Sequence, residues 1–253
     1  MIDRNKCFSN LTAGYLFPEV ARRRVEYEKN HPDAKIISLS IGNTTEPLPA
    51  FIAEAMADYA LALSTPEGYS GYGDEQGNSS LRKKIAETFY KNIASPDEVF
   101  VSDGAKCDIA RIQTLFGKDV KIAVQDPAYP VYVDGSVISG AAGANNGSGY
   151  DGIVYMPCTP ENNFFPDLSQ VSPNSLIYFC SPNNPTGAVS TKQELKTLVD
   201  FALGNGCIIV FDAAYREFIR DSSLPKSIFE IEAETLKQYL VQNTLLTFYF
   251  YRL

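Results

Sequence analysis

Two short apolar runs, Leu176-Ile-Tyr-Phe-Cys180 and Cys207-Ile-Ile-Val-Phe211, constrain the fold of this chain more than any other feature. Each is uncharged and too brief for a helix, so each reads as a strand buried on both faces. A helical pattern, Thr191 to Leu203, lies between them. Strand, helix, strand, with no polar face on either strand, is the pattern of a parallel sheet covered on both sides. Each run also delivers a polar loop. Ser181-Pro-Asn-Asn-Pro-Thr-Gly187 follows the first, and Asp212-Ala-Ala-Tyr215 follows the second.

The same alternation extends through most of the chain. Helices are expected over Pro18–Asn30, with Pro in the first turn and a charged face, over the Ala-rich Pro49–Leu63, and over Asn78–Ile93. The last carries Leu81, Ile85 and Phe89 at helical spacing. Ile36–Ile41 reads as a strand ending at Gly42, and Glu67–Gly77, with its four glycines, as a long loop. Val99–Val101 reads as a strand leading into Ser102-Asp-Gly-Ala-Lys-Cys-Asp108 and a helix to about Leu115. Lys121–Val124 reads as a strand leading into Gln125-Asp-Pro-Ala-Tyr-Pro130. Gly140–Gly152, rich in Gly, Asn and Ser, reads as a flexible insertion. The fold class is therefore α/β, a mainly parallel sheet flanked by helices. Ligands in such folds sit where strands deliver their C-terminal loops, and four of the loops just named do so.

Composition removes several function classes. A net charge of −8 with no basic stripe argues against nucleic acid. The single histidine, His31, sits in a polar helix-end context, so neither a histidine triad nor a multi-histidine metal site can be assembled. The five cysteines (Cys7, Cys107, Cys158, Cys180, Cys207) are scattered, without a C-x-x-C pair, and read as free thiols suited to a reducing compartment. No apolar run follows Met1 as in a signal peptide, and the aromatic stretch Val241–Leu253 falls short of the ~20 apolar residues of a spanning helix. A cytoplasmic protein that does not enter membranes is expected.

The four loops carry residues that suit a planar, anionic cofactor. Gly104, Ala105 and Lys106 open a helix, where backbone N–H groups, the helix dipole and a lysine favour a phosphate. Tyr129, between two prolines, offers a ring to stack on. Asn184 has an amide that can donate to a ring oxygen. Asp212 ends an apolar strand with no cation beside it in sequence, a costly place for a carboxylate unless it has a charged partner. A protonated pyridine nitrogen is such a partner. Tyr215 lies within reach of a ring oxygen on that geometry. Singly, each has a plainer reading: Asp103 as a helix cap, Lys106 as a solvated lysine, Tyr129 as turn packing, Asn184 as an Asx turn.

Taken together, Asp-Gly-Ala-Lys, Asp-Pro-Ala-Tyr, Asn-Pro-Thr-Gly and Asp-x-x-Tyr in this order resemble the fold type I pyridoxal-phosphate aminotransferases. Leu11-Thr-Ala-Gly-Tyr-Leu-Phe-Pro18, Ser40-Ile-Gly-Asn-Thr-Thr-Glu-Pro47 and Gly71-Tyr-Gly-Asp-Glu-Gln-Gly77, with Ser102–Asp108, narrow the resemblance to the LL-diaminopimelate aminotransferases. The resemblance implies that Ala105, Lys106 and Tyr72 hold the phosphate region of pyridoxal 5′-phosphate, Tyr72 from a partner subunit of a homodimer. It implies that Tyr129 stacks on the ring, that Asn184 and Tyr215 meet its oxygen, and that Asp212 meets its nitrogen. Tyr15 and Gly42, with Lys106, Tyr129 and Asn184, are implied to contact a small amino-acid substrate. The implied reaction converts LL-2,6-diaminopimelate and 2-oxoglutarate to tetrahydrodipicolinate and glutamate, a step in lysine biosynthesis.

The likeness runs to about Glu232. In the family a Ser-x-Ser-Lys motif then supplies the Schiff-base lysine, followed by an arginine and a C-terminal small domain. Residues 233–253 contain no serine and one lysine, Lys237, in a helix-like surface context. No catalytic lysine is therefore assigned, and a truncation or shifted reading frame is expected, with an inactive product or another fold type I transaminase as alternatives. The expected organisation is an N-terminal, substrate-contacting arm at 1–45, an incomplete large domain at 46–232, and an unrelated tail at 233–253.

Overall fold

The computed structural model describes residues 2–11, 16–38, 46–91, 93–231 and 246–248, with the backbone alone at 16, 17 and 246–248. Strands β1 (Lys121–Asp126), β2 (Ile153–Pro157), β3 (Ser175–Cys180), β4 (Ile208–Asp212) and β5 (Leu246–Phe248) form one sheet in the order β2-β1-β3-β4-β5. Every pairing is parallel. Cys180 lies opposite Asp212 in the β3–β4 register, so the two long apolar runs end side by side.

Two-residue alternation along the strands divides the core. Ala123, Ile177, Phe179, Ile209 and Phe211 face a layer built from α3 (Ser79–Tyr90) and α6 (Lys192–Asn205). Ile122, Val124, Leu176, Tyr178 and Val210 face a layer built from α4 (Ala105–Ile112) and α5 (Val131–Ser139). Asp212 falls on the second face by the same alternation, toward α5. β1 has β2 on one side and β3 on the other, so the connections leaving β1 and β3 run in opposite directions. That divergence opens a crevice at the carboxyl ends of β1 and β3, where the loops 126–130 and 181–187 begin.

Local sequence accounts for the ends of α6. Thr191 and Glu194 form a reciprocal capping box, the hydroxyl accepting from the Glu194 N–H at 3.2 Å and the carboxylate from the Thr191 N–H at 2.7 Å. The helix stops at Gly206, whose φ of 65° suits glycine.

Residues 12–79 form a second compact unit, containing α1 (Leu16–Asn30) and α2 (Ala50–Ala62). In α1, Arg22, Arg23 and Arg24 pair with Glu19, Glu26 and Glu28 at helical spacing. These exposed pairs support the helix weakly.

Several expectations change. Val99–Val101 is irregular rather than a strand. Three residues offer few ladder bonds, and Phe100 points to solvent, so only Val99 is buried. Of the expected strand Ile36–Ile41, residues 36–38 are irregular and the rest lies outside the described residues. Neither α5 nor β2 was expected from the sequence. The Gly140–Gly152 stretch is tied by its own side chains, with Asn146 Oδ1 accepting from the N–H groups of Ser148 and Gly149, both at 3.0 Å, and Asn146 Nδ2 donating to Asp151 at 2.8 Å. Residues 246–248, inside the stretch set apart as a tail, form β5 against β4. No helix among the described residues is long and apolar enough to cross a membrane.

Removing the α6 cap tests this account of its start. Thr191→Ala is expected to lower unfolding free energy by about 1 kcal/mol in urea titrations, with the m-value unchanged.

Candidate functional site

Asp212 is a buried carboxyl at the carboxyl end of the sheet. It is 5% exposed, and the hydrogen-bond donors to it are the Tyr132 hydroxyl, at 2.7 Å from Oδ2, and the Ala214 N–H, at 3.0 Å from Oδ1. No lysine or arginine among the described residues pairs with it. Burial pushes the Asp212 carboxyl above its ordinary range, while its two hydrogen bonds pull the other way. Burial and then the Asp212 charge raise the Tyr132 hydroxyl well above the usual phenol value, and the same two causes push the Cys180 thiol to about 12. Both neighbours therefore stay protonated at neutral pH. An anion buried among neutral groups is unfavourable until a cation arrives.

Two loops flank Asp212. Asn184 Nδ2 donates to the Tyr215 hydroxyl at 3.2 Å, which unites the Asn-Pro-Thr-Gly loop with the Asp-x-x-Tyr turn. Both residues are partly exposed, as ligand contacts must be. Burial raises the Tyr215 hydroxyl, and the Asp212 charge acts in the same direction. The neighbouring Asn183 is 4% exposed and joins this loop to the β1 loop, its Nδ2 reaching the Pro127 carbonyl and the Thr186 hydroxyl, each at 3.1 Å. Its Oδ1 is buried without a hydrogen-bond partner.

Tyr129 lies in the β1 loop, half-buried, and its ring meets the Tyr132 ring edge-on at 5.9 Å between centroids. Tyr132, in the first turn of α5, is fully buried and stacks on Tyr178 of β3 at 5.0 Å. Ala105 and Lys106 open α4, whose N-cap Gly104 has a φ of 123° that other residues rarely adopt. The first-turn N–H groups there have no acceptor four residues back. An ion pair from Arg111 to Asp103 at 2.9 Å and a hydrogen bond from Ser102 to Asp108 fold this loop onto its helix. Lys106 is exposed, and its charge partly offsets the burial that raises the Asp134 carboxyl.

The structure thus brings Asn184, Tyr215, Asp212 and, through Tyr132, Tyr129 into one connected set. Tyr72 belongs to the second unit and is fully exposed. Tyr15 and Gly42 lie outside the described residues. Sequence reading missed Tyr132 and Asn183. Tyr132 follows Tyr129 at helical spacing, a signal legible only once α5 is expected, and Asn183 is hidden by its more exposed neighbour. An open cleft of about 330 Å³ lies at the opposite, amino-terminal end of β1, lined by Lys118, Asp119, Lys121, Gly140 and Asp151. It is at the wrong end of a parallel sheet for ligand chemistry and contains none of the residues above.

The ionisation of Asp212 predicts a pH dependence for the chain alone. A carboxyl whose folded pKa is raised contributes stability below its unfolded value, about 3.9, and loses that contribution as pH rises through the folded value. Stepwise urea denaturation should show wild type losing stability relative to Asp212→Asn as pH rises above about 4. Parallel curves would exclude a buried, titrating Asp212.

Residues 34–247 match the family of class I and II aminotransferases. The chain is 58% identical over 233 residues to the chloroplastic LL-diaminopimelate aminotransferase of Arabidopsis thaliana and 53% identical over 234 residues to the LL-diaminopimelate aminotransferase of Protochlamydia amoebophila. These matches cover 91% and 92% of this chain, and 50% and 57% of the relatives. The chain thus spans about half the length of the curated relatives it matches. The solved L,L-diaminopimelate aminotransferase of Chlamydomonas reinhardtii superposes with a TM-score of 0.85 at 58% identity, covering 91% of this chain and 57% of that one. BacF of Bacillus subtilis, in a substrate-bound structure, superposes at 0.73 with 28% identity, covering 92% and 57%. The parallel sheet, its loops and these likenesses agree: the chain belongs to the class I and II aminotransferase family, with the fold type I large-domain architecture.

Proposed function

We propose that this chain builds the cofactor-holding wall of an LL-diaminopimelate aminotransferase, binding pyridoxal 5′-phosphate across the loops at the carboxyl end of its sheet. The observation that carries the reading is Asp212, a buried carboxylate without a cationic partner among the described residues. The donor set fits the group. Asp212 would neutralise the pyridinium nitrogen, and the paired Asn184 and Tyr215 would meet the ring's phenolic oxygen. Tyr129 would cover one ring face, and the start of α4, with Ala105 and Lys106, would hold the phosphate. Tyr72, from a partner subunit of a homodimer, would complete the phosphate end, and Tyr15 and Gly42 would touch substrate. When bound, the cofactor supplies an electron sink for the substrate's α-carbon.

The chain's own residues would bind, orient and exclude water. Asp212 would favour a cationic ring, because its carboxylate lies beside neutral groups and gains most from a full positive charge. The amino donor would be LL-2,6-diaminopimelate and the acceptor 2-oxoglutarate, yielding tetrahydrodipicolinate and glutamate, in lysine biosynthesis. Identity of 53% to 58% to LL-diaminopimelate aminotransferases supports this choice over other transaminations. The five free cysteines suit a reducing, cytoplasmic setting.

A second reading is the same wall without turnover. It is favoured by residues 216–253, which hold two lysines, Lys226 and Lys237, neither in a Ser-x-Ser-Lys setting. Lys226 is engaged with Glu217 at 3.0 Å. Transamination needs a positioned base to move the α-proton, and losing one costs ~10²–10⁴-fold in rate.

Two measurements test these readings. Asp212→Ala should weaken pyridoxal-phosphate binding roughly 10- to 100-fold by absorbance titration, the equivalent of a charged hydrogen bond worth about 1.5–3 kcal/mol. Unaltered affinity would contradict the site. Glutamate formation by the purified chain from LL-diaminopimelate and 2-oxoglutarate is expected to be absent, with binding intact and no single lysine labelled after borohydride reduction. Measurable turnover would instead favour the first reading and make Lys237 the first residue to replace.

A further inference from the structure

The catalytic reading uses Tyr129 and Asp212 but leaves the residue between them without a role. Tyr132 is fully buried, and both halves of its side chain are engaged. Its hydroxyl donates to Asp212 Oδ2 at 2.7 Å, its ring edge meets Tyr129 at 5.9 Å and 88°, and its face stacks on Tyr178 at 5.0 Å and 13°. Tyr178 is fixed in turn. Gln113 Nε2 reaches its hydroxyl at 2.9 Å and the Ser136 hydroxyl at 2.8 Å, and the Ser139 hydroxyl donates to Gln113 Oε1 at 2.8 Å. Gln113 opens the 3-10 turn that directly continues α4. An unbroken series of contacts therefore runs from the helix that begins at Ala105 and Lys106, through Gln113, Tyr178 and Tyr132, to Asp212.

We propose that Tyr132 is a positioning residue that holds the carboxylate of Asp212 and the ring of Tyr129 in fixed relation, and that the Gln113–Tyr178 contact ties this pair to the phosphate-end helix. The inference rests on the reading that Asp212 partners the cofactor's ring nitrogen, and it divides the work by atom. The Tyr132 hydroxyl governs Asp212, because an O–H donor satisfies one carboxylate oxygen that no other described residue reaches. The Tyr132 ring governs Tyr129, because an edge-to-face contact fixes the tilt of the Tyr129 ring. Among the described residues, the titratable groups facing Asp212 are Tyr132 from α5, Cys180 from β3 and Tyr215 from the turn after β4. Tyr132 and Cys180 remain neutral hydroxyl and thiol at neutral pH, so the Tyr132 hydrogen bond is the main favourable interaction of the ionised carboxylate.

Two variants separate the halves. Tyr132→Phe keeps the ring and removes the hydroxyl; Tyr132→Leu removes both. In the cofactor-free chain, followed by carboxyl-carbon NMR with the Asp212 signal assigned from Asp212→Asn, Tyr132→Phe should move the Asp212 titration to higher pH by about one pH unit. With pyridoxal phosphate added, Tyr132→Phe should alter the pH midpoint of the bound cofactor's absorbance with a small change in affinity, whereas Tyr132→Leu should also lose affinity about tenfold. A purely structural tyrosine would change stability in both variants and leave the Asp212 titration where it is, which would overturn the proposal. If Tyr132→Phe does not fold, the unaltered chain labelled at tyrosine Cζ decides. A Tyr132 signal that follows the Asp212 titration supports the link, and one that ignores it refutes it. Because the first measurement contains no cofactor, a shifted Asp212 titration alongside absent cofactor binding would sink the cofactor reading while leaving the Tyr132–Asp212 link standing.

Discussion

A buried carboxylate, Asp212, that no cation among the described residues neutralises is the constraint around which this sheet end is arranged. Moving a carboxylate from water to a protein interior costs several kcal/mol even after relaxation, so Asp212 is there at the expense of stability. Its position follows from two-residue alternation: Ile209 and Phe211 point to the α6 layer, and Val210 and Asp212 to the α5 layer. A single step of register would turn Asp212 into the opposite layer, among Ile177, Phe179, Ile209 and Phe211. The parallel β3–β4 register, with Cys180 beside Asp212, is therefore what aims the charge at the crevice.

The crevice itself comes from topology. The connections from β1 and β3 diverge, and only there do two neighbouring strands release loops that do not close over each other. Those two loops carry Tyr129 and Asn184. Left alone they would be ordinary surface loops, but Asn183 bonds across them to the Pro127 carbonyl and Asn184 reaches the turn after β4. Three strand ends are thus joined by side-chain hydrogen bonds rather than by packing. This arrangement leaves the Asn184 and Tyr215 side chains partly accessible while their loops are held.

How far this was legible in sequence depended on where each signal was local. β3 and β4 were legible because an uncharged apolar run allows few other outcomes, and their boundaries differ from expectation by one residue at each end at most. The loops that carry Asn184, Asp212 and Tyr215 were legible as loops after β3 and β4 because Pro, Gly and a strand-ending carboxylate mark them. β2 and α5 were not. Val131–Ser139 holds Gly135 and three β-branched valines, a weak helical signal, and forms a helix because Val131, Tyr132 and Val137 find a core to enter. Val99–Val101 shows the reverse, strand propensity without a partner strand. Propensity at three residues does not outweigh the absence of ladder bonds. Tyr132 escaped for the same reason as α5: its importance lies in a partner eighty positions away, at Asp212.

The buried polar residues beneath the wall show how its rigidity is obtained. Gln113 is buried against Ser136, Ser139 and Tyr178, where an apolar side chain of equal size would avoid desolvating an amide. A satisfied polar network adds direction instead. Both Gln113 donors and its acceptor have partners, so α4, α5 and β3 fit together in one arrangement, whereas apolar contacts would tolerate sliding. Asn183 offers the contrast, since its donors are used and its Oδ1 is left buried without a partner. The fully satisfied network lies between α4, α5 and β3, whereas the unpartnered Asn183 Oδ1 and the charge of Asp212 are buried at the strand ends, where the loops begin. Stabilising interactions are concentrated one layer behind the residues that bear the unfavourable ones. That ordering is what lets a site hold uncompensated polar groups in place before any ligand neutralises them.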